Sequence, residues 1–156
     1  MSTSETAGLV TDMAGLRGRA GTHVGYTDWR VMEQERVNQF ADATDDHQYI
    51  HVDVERAKTS PFGGTIAHGY LTLSLLAPIT QELIKVTDAA TGVNYGLDRV
   101  RFPAPLPVGA QWRGGVELLE VTDVSGGVQI KLRATVEVKG TEKPALVADA
   151  LVRLYG

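Results

Sequence analysis

The run YLTLSLLAPI, residues 70–79, decides the fold. It is apolar on nearly every face. A helix with that pattern has to be surrounded by protein rather than lie on a surface. Ten residues are too few to cross a bilayer, and Pro78 inside the run marks a kink. The flanking sequence extends the prediction to one long helix from about Ala67 to Lys85. The rest of the chain has to supply what wraps it.

Downstream, helical spacing gives way to alternation. Val93, Tyr95 and Leu97 share one parity, and Val100 and Phe102 take the other. That slip predicts a bulge near Asp98-Arg99. Trp112, Val116 and Leu118, followed by Leu119 and Val121, show a second slip. Ser125-Gly126-Gly127 reads as a hairpin turn. From Val128 to Val138 apolar and polar residues alternate cleanly, which gives a strand one dry and one wet face. Leu146 to Tyr155 is a last strand, apolar at both parities.

Upstream, Leu9, Val10, Met13 and Leu16 follow helical spacing until Gly18 and Gly21 stop it. His23 to Val31 reads as a strand with an irregularity near Thr27-Asp28. Glu33 to Ala43 reads as a helix whose apolar face is Val37, Phe40 and Ala41. Asp53 is placed to cap a short helix through Lys58. The order is strand, helices, one long apolar helix, then four strands with short links. That order favours an antiparallel sheet curled around the helix, an α+β arrangement of hot-dog type. One sheet covers one side of such a helix, so a homodimer is expected. Residues 1–8 read as a flexible tail and residues 9–156 as a single domain.

The chain has 156 residues, 43% of them apolar and 22% charged, which suits a globular domain with a real core. A formal net charge of −4 argues against a nucleic-acid or anionic-membrane partner. There is no cysteine, so disulfides, thiolate metal sites and cysteine nucleophiles are excluded. The first twenty residues lack a continuous apolar core and show no signal peptide. A cytoplasmic protein is expected.

The chemistry concentrates in DDHQYIH, residues 45–51. His47 and His51 stand four apart, a spacing that can bind metal on a helix. The residues between them make no amphipathic face, however, and no third ligand stands at a familiar spacing. Asp46 and His51 are five apart. A regular helix would point them about 140° apart, and an extended strand would separate them by ~17 Å. They converge only if the chain turns at Gln48-Tyr49. A carboxylate and an imidazole sharing one water would then suit general acid–base chemistry. Taken alone, the run also reads as a capped solvent loop.

Farther on come Gly63-Gly64 and His68-Gly69. Gly69 stands where the apolar helix begins, with free backbone N–H groups and the positive end of the dipole. A glycine there lets a ligand carbonyl approach closely. Gly63-Gly64 by themselves read as a turn, and His68 as a buried histidine that supports the loop.

FADATDDHQYIHVDVERAKTSPFGGTIAHGYLTLSLL, residues 40–76, resembles the signature of MaoC-like, (R)-specific enoyl-CoA hydratases, in the nodulation protein N-like branch. RVRFPAPLPVGAQWRGGVEL, residues 99–118, resembles the following strand pair of that family. The similarity covers about residues 20–150. It implies a hot-dog homodimer that adds water reversibly to a trans-2-enoyl-CoA, giving an (R)-3-hydroxyacyl-CoA, with neither metal nor cofactor beyond the CoA of the substrate. It implies Asp46 and His51 as the catalytic dyad, with Asp46 favoured as the base. Gly69 matches the glycine whose N–H holds the thioester oxygen, with Gln48, Gly64 and His68 beside it. Arg101, and more loosely Arg99, Lys58 and Arg113, are candidates for the CoA phosphates. Two departures stand out: Gln48-Tyr49 replaces Asn-Pro, and Ala77 stands near where some relatives carry a serine. Alternative readings are a dehydratase acting on acyl carrier protein, a hot-dog thioesterase, and a non-catalytic acyl-binding subunit.

Overall fold

The computed structural model describes residues 8–156. The expected tail lies outside the described residues except for Gly8. In chain order the elements are β1 (Leu9–Thr11), α1 (Met13–Leu16), β2 (Thr22–Tyr26), β3 (Arg30–Val31), α2 (Gln34–Thr44), α3 (Tyr49–Val52) and α4 (Val54–Ala57). Then come α5 (Gly69–Ser74), α6 (Leu76–Leu83), β4 (Ile84–Val86), β5 (Thr91–Arg101), β6 (Gln111–Val124), β7 (Gly127–Val138) and β8 (Leu146–Tyr155).

The main sheet runs β2-β6-β7-β8-β5, with β3 also on β6, and its pairings are antiparallel. The alternation at 128–138 sends Val128, Ile130, Leu132, Ala134 and Val136 inward, where all are buried. They meet Leu71, Leu75, Ile79 and Leu83 from the helix, with Trp112, Val116 and Leu118 from β6. Each such Leu or Ile contributes about 1.5–3 kcal/mol on burial. The helix lies across β6 at Gly114. A Cβ at that position would come within 2.4 Å of the Ile79 Cδ1, so only glycine lets α6 settle on the sheet.

Several expectations need correcting. The expected single helix starts at Gly69, not Ala67, ends at Leu83, not Lys85, and breaks at Leu75. Pro78 has no N–H to give the Ser74 carbonyl four residues back, so the ladder opens there. Within one chain the helix is covered on one face only, as expected. Leu71, Thr72, Leu75 and Ile79 are buried, whereas Tyr70, Ser74, Ala77 and Gln81 are exposed. The sheet takes one face and leaves the other open. Leu9 and Val10 are not helical: β1 pairs in parallel with β4, Leu9 opposite Ile84. Their spacing fitted a helix, but a partner strand distant in sequence claimed their backbone.

Other details agree with the sequence. The register slips between Leu97 and Arg99 in β5 and between Leu118 and Glu120 in β6. Asp53 caps α4 by accepting from Arg56 N–H at 3.0 Å. No helix among the described residues is long and apolar enough to cross a membrane.

Candidate active site

The Asp46–His51 pair is assembled by a sharp exit from α2. Asp45 ends that helix in the left-handed conformation, φ 59° and ψ 23°, which aspartate tolerates better than most residues. The chain then reverses. The Asp46 carboxylate accepts from the Gln48 N–H at 3.3 Å, and Tyr49 opens the single turn α3 that carries His51. Tyr49 is thus the first residue of a helix, the position where proline is favoured because its N–H has no partner to lose. Tyr49 therefore stands where the proline of the Asn-Pro pair expected from the resemblance would also fit.

His51 is only 6% exposed. Its Nδ1–H donates to the Ile66 carbonyl at 2.7 Å. That bond fixes the tautomer and leaves Nε2 with a free lone pair. Gln34 Nε2 donates to the His51 carbonyl at 2.7 Å, and Gln34 Oε1 accepts from the Thr65 hydroxyl at 2.6 Å. Ile66 N–H closes the loop by donating to the Ile50 carbonyl at 2.9 Å. Burial pulls the His51 imidazole below its ordinary value of 6.5; the Ile66 bond opposes this, the neighbouring His68 adds to it, and Asp46 opposes it. The ring is therefore neutral near pH 7.

His68 stacks on His51, with ring centroids 3.8 Å apart and planes inclined by 22°. One polar side-chain atom from each of Asp46, His51 and His68 lies within 4.8 Å of the other two. His68, seventeen residues beyond His51, was expected beside the site, and the structure brings it into contact with the pair. Each ring has one nitrogen committed to a backbone carbonyl, His51 to Ile66 and His68 to Asp46. His47 does not join the cluster. Its Nε2 pairs with the Asp42 carboxylate at 2.8 Å, in solvent.

Gly69 is the first residue of α5, so its N–H has no acceptor within the helix. Gly69 is exposed with the Phe102 ring beside it, and a Cβ on Gly69 would touch Phe102 Cε1 at 3.4 Å. One turn further along, about 6 Å by helical rise, begins a cavity of about 580 Å³ between the open helix face and β5. Leu73, Leu76, Ala77, Gly92, Gly96 and Ile130 are among its walls.

The remaining sequence candidates fall in different places. Gln48 is exposed just before α3, and its side chain makes no hydrogen bond among the described residues. Gly64 lies in the loop after α4 with open space around it, beside Gly63, whose φ of +71° does require glycine. Arg101 is exposed next to Phe102 and donates to the Val100 carbonyl at 2.7 Å. Lys58 is engaged by Glu55, and Arg113 by Glu137. Gln34 and Thr65 were missed. Their contribution is a contact between α2 and a distant loop, which no local motif announces.

Comparison with known proteins bears on this arrangement. Residues 16–141 match the family described as MaoC like domain. A Mycobacterium tuberculosis protein named 3-hydroxyacyl-thioester dehydratase Z is 51% identical over 142 residues, covering 90% of this chain and 94% of the relative. Nodulation protein N of Rhizobium leguminosarum bv. viciae is 43% identical over 140 residues, covering 88% and 87%. Among solved structures, the (R)-hydratase from A. caviae involved in PHA biosynthesis superposes with a TM-score of 0.69 at 23% identity, covering 86% of this chain and 96% of that one. The architecture is the hot-dog fold, as expected. The chain belongs to the MaoC-like dehydratase family, a family of hydro-lyases.

Proposed function

We propose that the protein is an (R)-specific hydratase/dehydratase, adding water reversibly and syn to a trans-2-enoyl-CoA to give an (R)-3-hydroxyacyl-CoA. The observation that carries this reading is the Asp46–His51 gap. Polar atoms within 4.8 Å of each other suit one bridging water, since two hydrogen bonds span up to about 6 Å.

The Gly69 N–H donates to the thioester oxygen and draws electrons from the double bond, leaving C3 electrophilic. The held water attacks C3. Its departing proton passes to His51 Nε2, the acceptor left free by the Ile66 bond. The Asp46 carboxylate accepts a hydrogen bond from the second O–H, which stays on the oxygen as the product hydroxyl, and stabilises the imidazolium. His51 then returns the proton to C2 on the same face, so OH and H of one water are added and nothing else is consumed. The sequence reading favoured Asp46 as base; the tautomer of His51 supports the imidazole instead. No metal or further cofactor enters this scheme. The acyl chain follows the cavity past Ala77, where a methyl group stands in place of a hydroxyl. Arg101, beside Phe102, is the group we assign to a CoA phosphate. Residues 9–156 serve as one cytoplasmic domain.

A homodimer belongs to the same proposal. Thr91–Arg99 of β5 are all exposed, with Val93, Tyr95 and Leu97 between 45% and 57%. An apolar edge strand of that length is a pairing surface.

The test is turnover of crotonyl-CoA and a medium-chain trans-2-enoyl-CoA, followed by loss of conjugated thioester absorbance and by 3-hydroxyacyl-CoA dehydrogenases of known handedness. An (R) product is expected. Release of free thiol in place of hydration would establish a thioesterase. Turnover only of carrier-protein substrates would establish the carrier-linked dehydratase.

A further inference from the structure

We propose that His68 is a positioning residue that holds both halves of the Asp46–His51 pair at once, by a hydrogen bond to one and a ring stack on the other. This rests on the hydratase reading above.

His68 occupies the N-cap of α5, yet its side chain makes no capping hydrogen bond. Serine, threonine, aspartate and asparagine are the usual choices there because they satisfy the helix N–H groups. The imidazole turns to the pair instead. Its Nε2–H donates to the Asp46 backbone carbonyl at 2.9 Å. Among the described residues, that is the one hydrogen bond joining Asp46 to a segment outside its own loop. Asp46 is itself exposed, behind the left-handed turn at Asp45, and this bond ties its backbone to the start of α5.

The other side of the ring is just as constrained. His68 is 2% exposed, lying against His51 at 3.8 Å and against Phe40 at 4.9 Å. With Nε2 protonated, Nδ1 is left as a lone pair, and it is buried without any partner. An orphaned buried acceptor costs stability, which a leucine or phenylalanine in the same space would not. The cost is understandable if the ring has to donate to Asp46 and pack flat on His51 together. No apolar residue does both.

The stack also bears on charge. The titratable groups facing His51 are Asp46, from the loop behind α2, and His68, from the start of α5. Gln34 and the Ile66 carbonyl are neutral. Two protonated rings in this stack would repel, so the His68 ring acts on His51 in the same direction as burial, which is the larger cause of its lowered value.

The first test uses the unmodified protein with ¹⁵N-labelled histidine. NMR should show the Nδ1–H tautomer at His51 and the Nε2–H tautomer at His68 at pH 7. The opposite tautomer at His68 overturns the proposal, whether or not the enzyme turns over enoyl-CoA. The second test uses His68→Gln, which keeps a donor but no ring, and His68→Phe, which keeps a ring but no donor. Both should lower kcat by about 10–100-fold with KM held within about threefold. Both should move the acid limb of kcat/KM, and the His51 titration seen by NMR, upward. Lower thermal stability with kcat and pH limb unchanged would mean a purely structural residue and overturn the proposal. Should neither variant fold, the tautomers in the unmodified protein decide. Absence of hydration by the unmodified enzyme would refute the hydratase reading separately.

Discussion

The His51 ring donates from Nδ1 to Ile66 and therefore offers Nε2 as an acceptor. Its burial lowers the imidazole from 6.5, so the neutral form dominates wherever pH exceeds that lowered value. Catalysis by neutral His51 should accordingly stay level around pH 7 and fall in acid, with a midpoint below 6.5. Linkage has the same sign. The stability that comes from burying neutral His51 is complete above 6.5 and is lost as pH falls through the lowered folded value. A kcat/KM profile measured with a medium-chain enoyl-CoA checks this; an acid midpoint at or above 6.5 would contradict it. At this scale the candidates were visible in the sequence but not their roles: Asp46 and His51 stand in a run that by spacing alone also reads as a capped loop, and the resemblance implies them and Gly69 as site residues. The turn that unites the pair was inferred from necessity, since neither helix nor strand brings residues five apart together. His68 was legible as a buried histidine supporting the loop, which its burial and its bond to the Asp46 carbonyl bear out; Gln34 and Thr65 were not legible as partners. These side chains act through contacts to residues 17 to 31 positions away.

The helix reaches the sheet through a single close approach. Ile79 of α6 sits over Gly114 of β6, where a Cβ would meet Ile79 atoms at 2.4–2.7 Å. Gly114→Ala should therefore destabilise the fold by about 1–3 kcal/mol through overpacking. Ile79→Ala creates a cavity and is costly alone, but in the double variant each change relieves the other. Urea unfolding of the two single variants and the double variant measures this. Additive losses would show that the contact is not the cause. The sequence announced the helix, its proline break and two strand slips, because all of these are local. It did not announce that β8 lies between β7 and β5, or that β1 pairs with β4. Both are long-range pairings, and periodicity carries no information about which neighbour a strand takes.

For the molecule as a whole, β5 is the unfinished element. Its one partner in the sheet is β8, its residues through Arg99 are exposed, and the helix face opposite it opens into the 580 Å³ cavity. A second copy added along this edge would cover the strand. The protein should therefore sediment as a dimer at micromolar concentration, and Val93→Lys should give a folded monomer. A monomeric wild type, or an unchanged dimer in the variant, would contradict this. The expectation of a dimer came from counting: one sheet covers one side of a helix. Where the uncovered side would lie required the strand order, which the sequence does not display.

The central claim is that Asp46 and His51 hold one water and that His51 returns its proton, so that both parts of that water reach the same face of an enoyl thioester. Hydration in D₂O tests it most directly. The account predicts an (R)-3-hydroxyacyl-CoA with one deuteron at C2, syn to the new hydroxyl. Rates should fall by about 10²–10⁴-fold in both Asp46→Asn and His51→Ala, with the fold intact by circular dichroism. An anti product, an (S) product, or wild-type rates in either variant would contradict it.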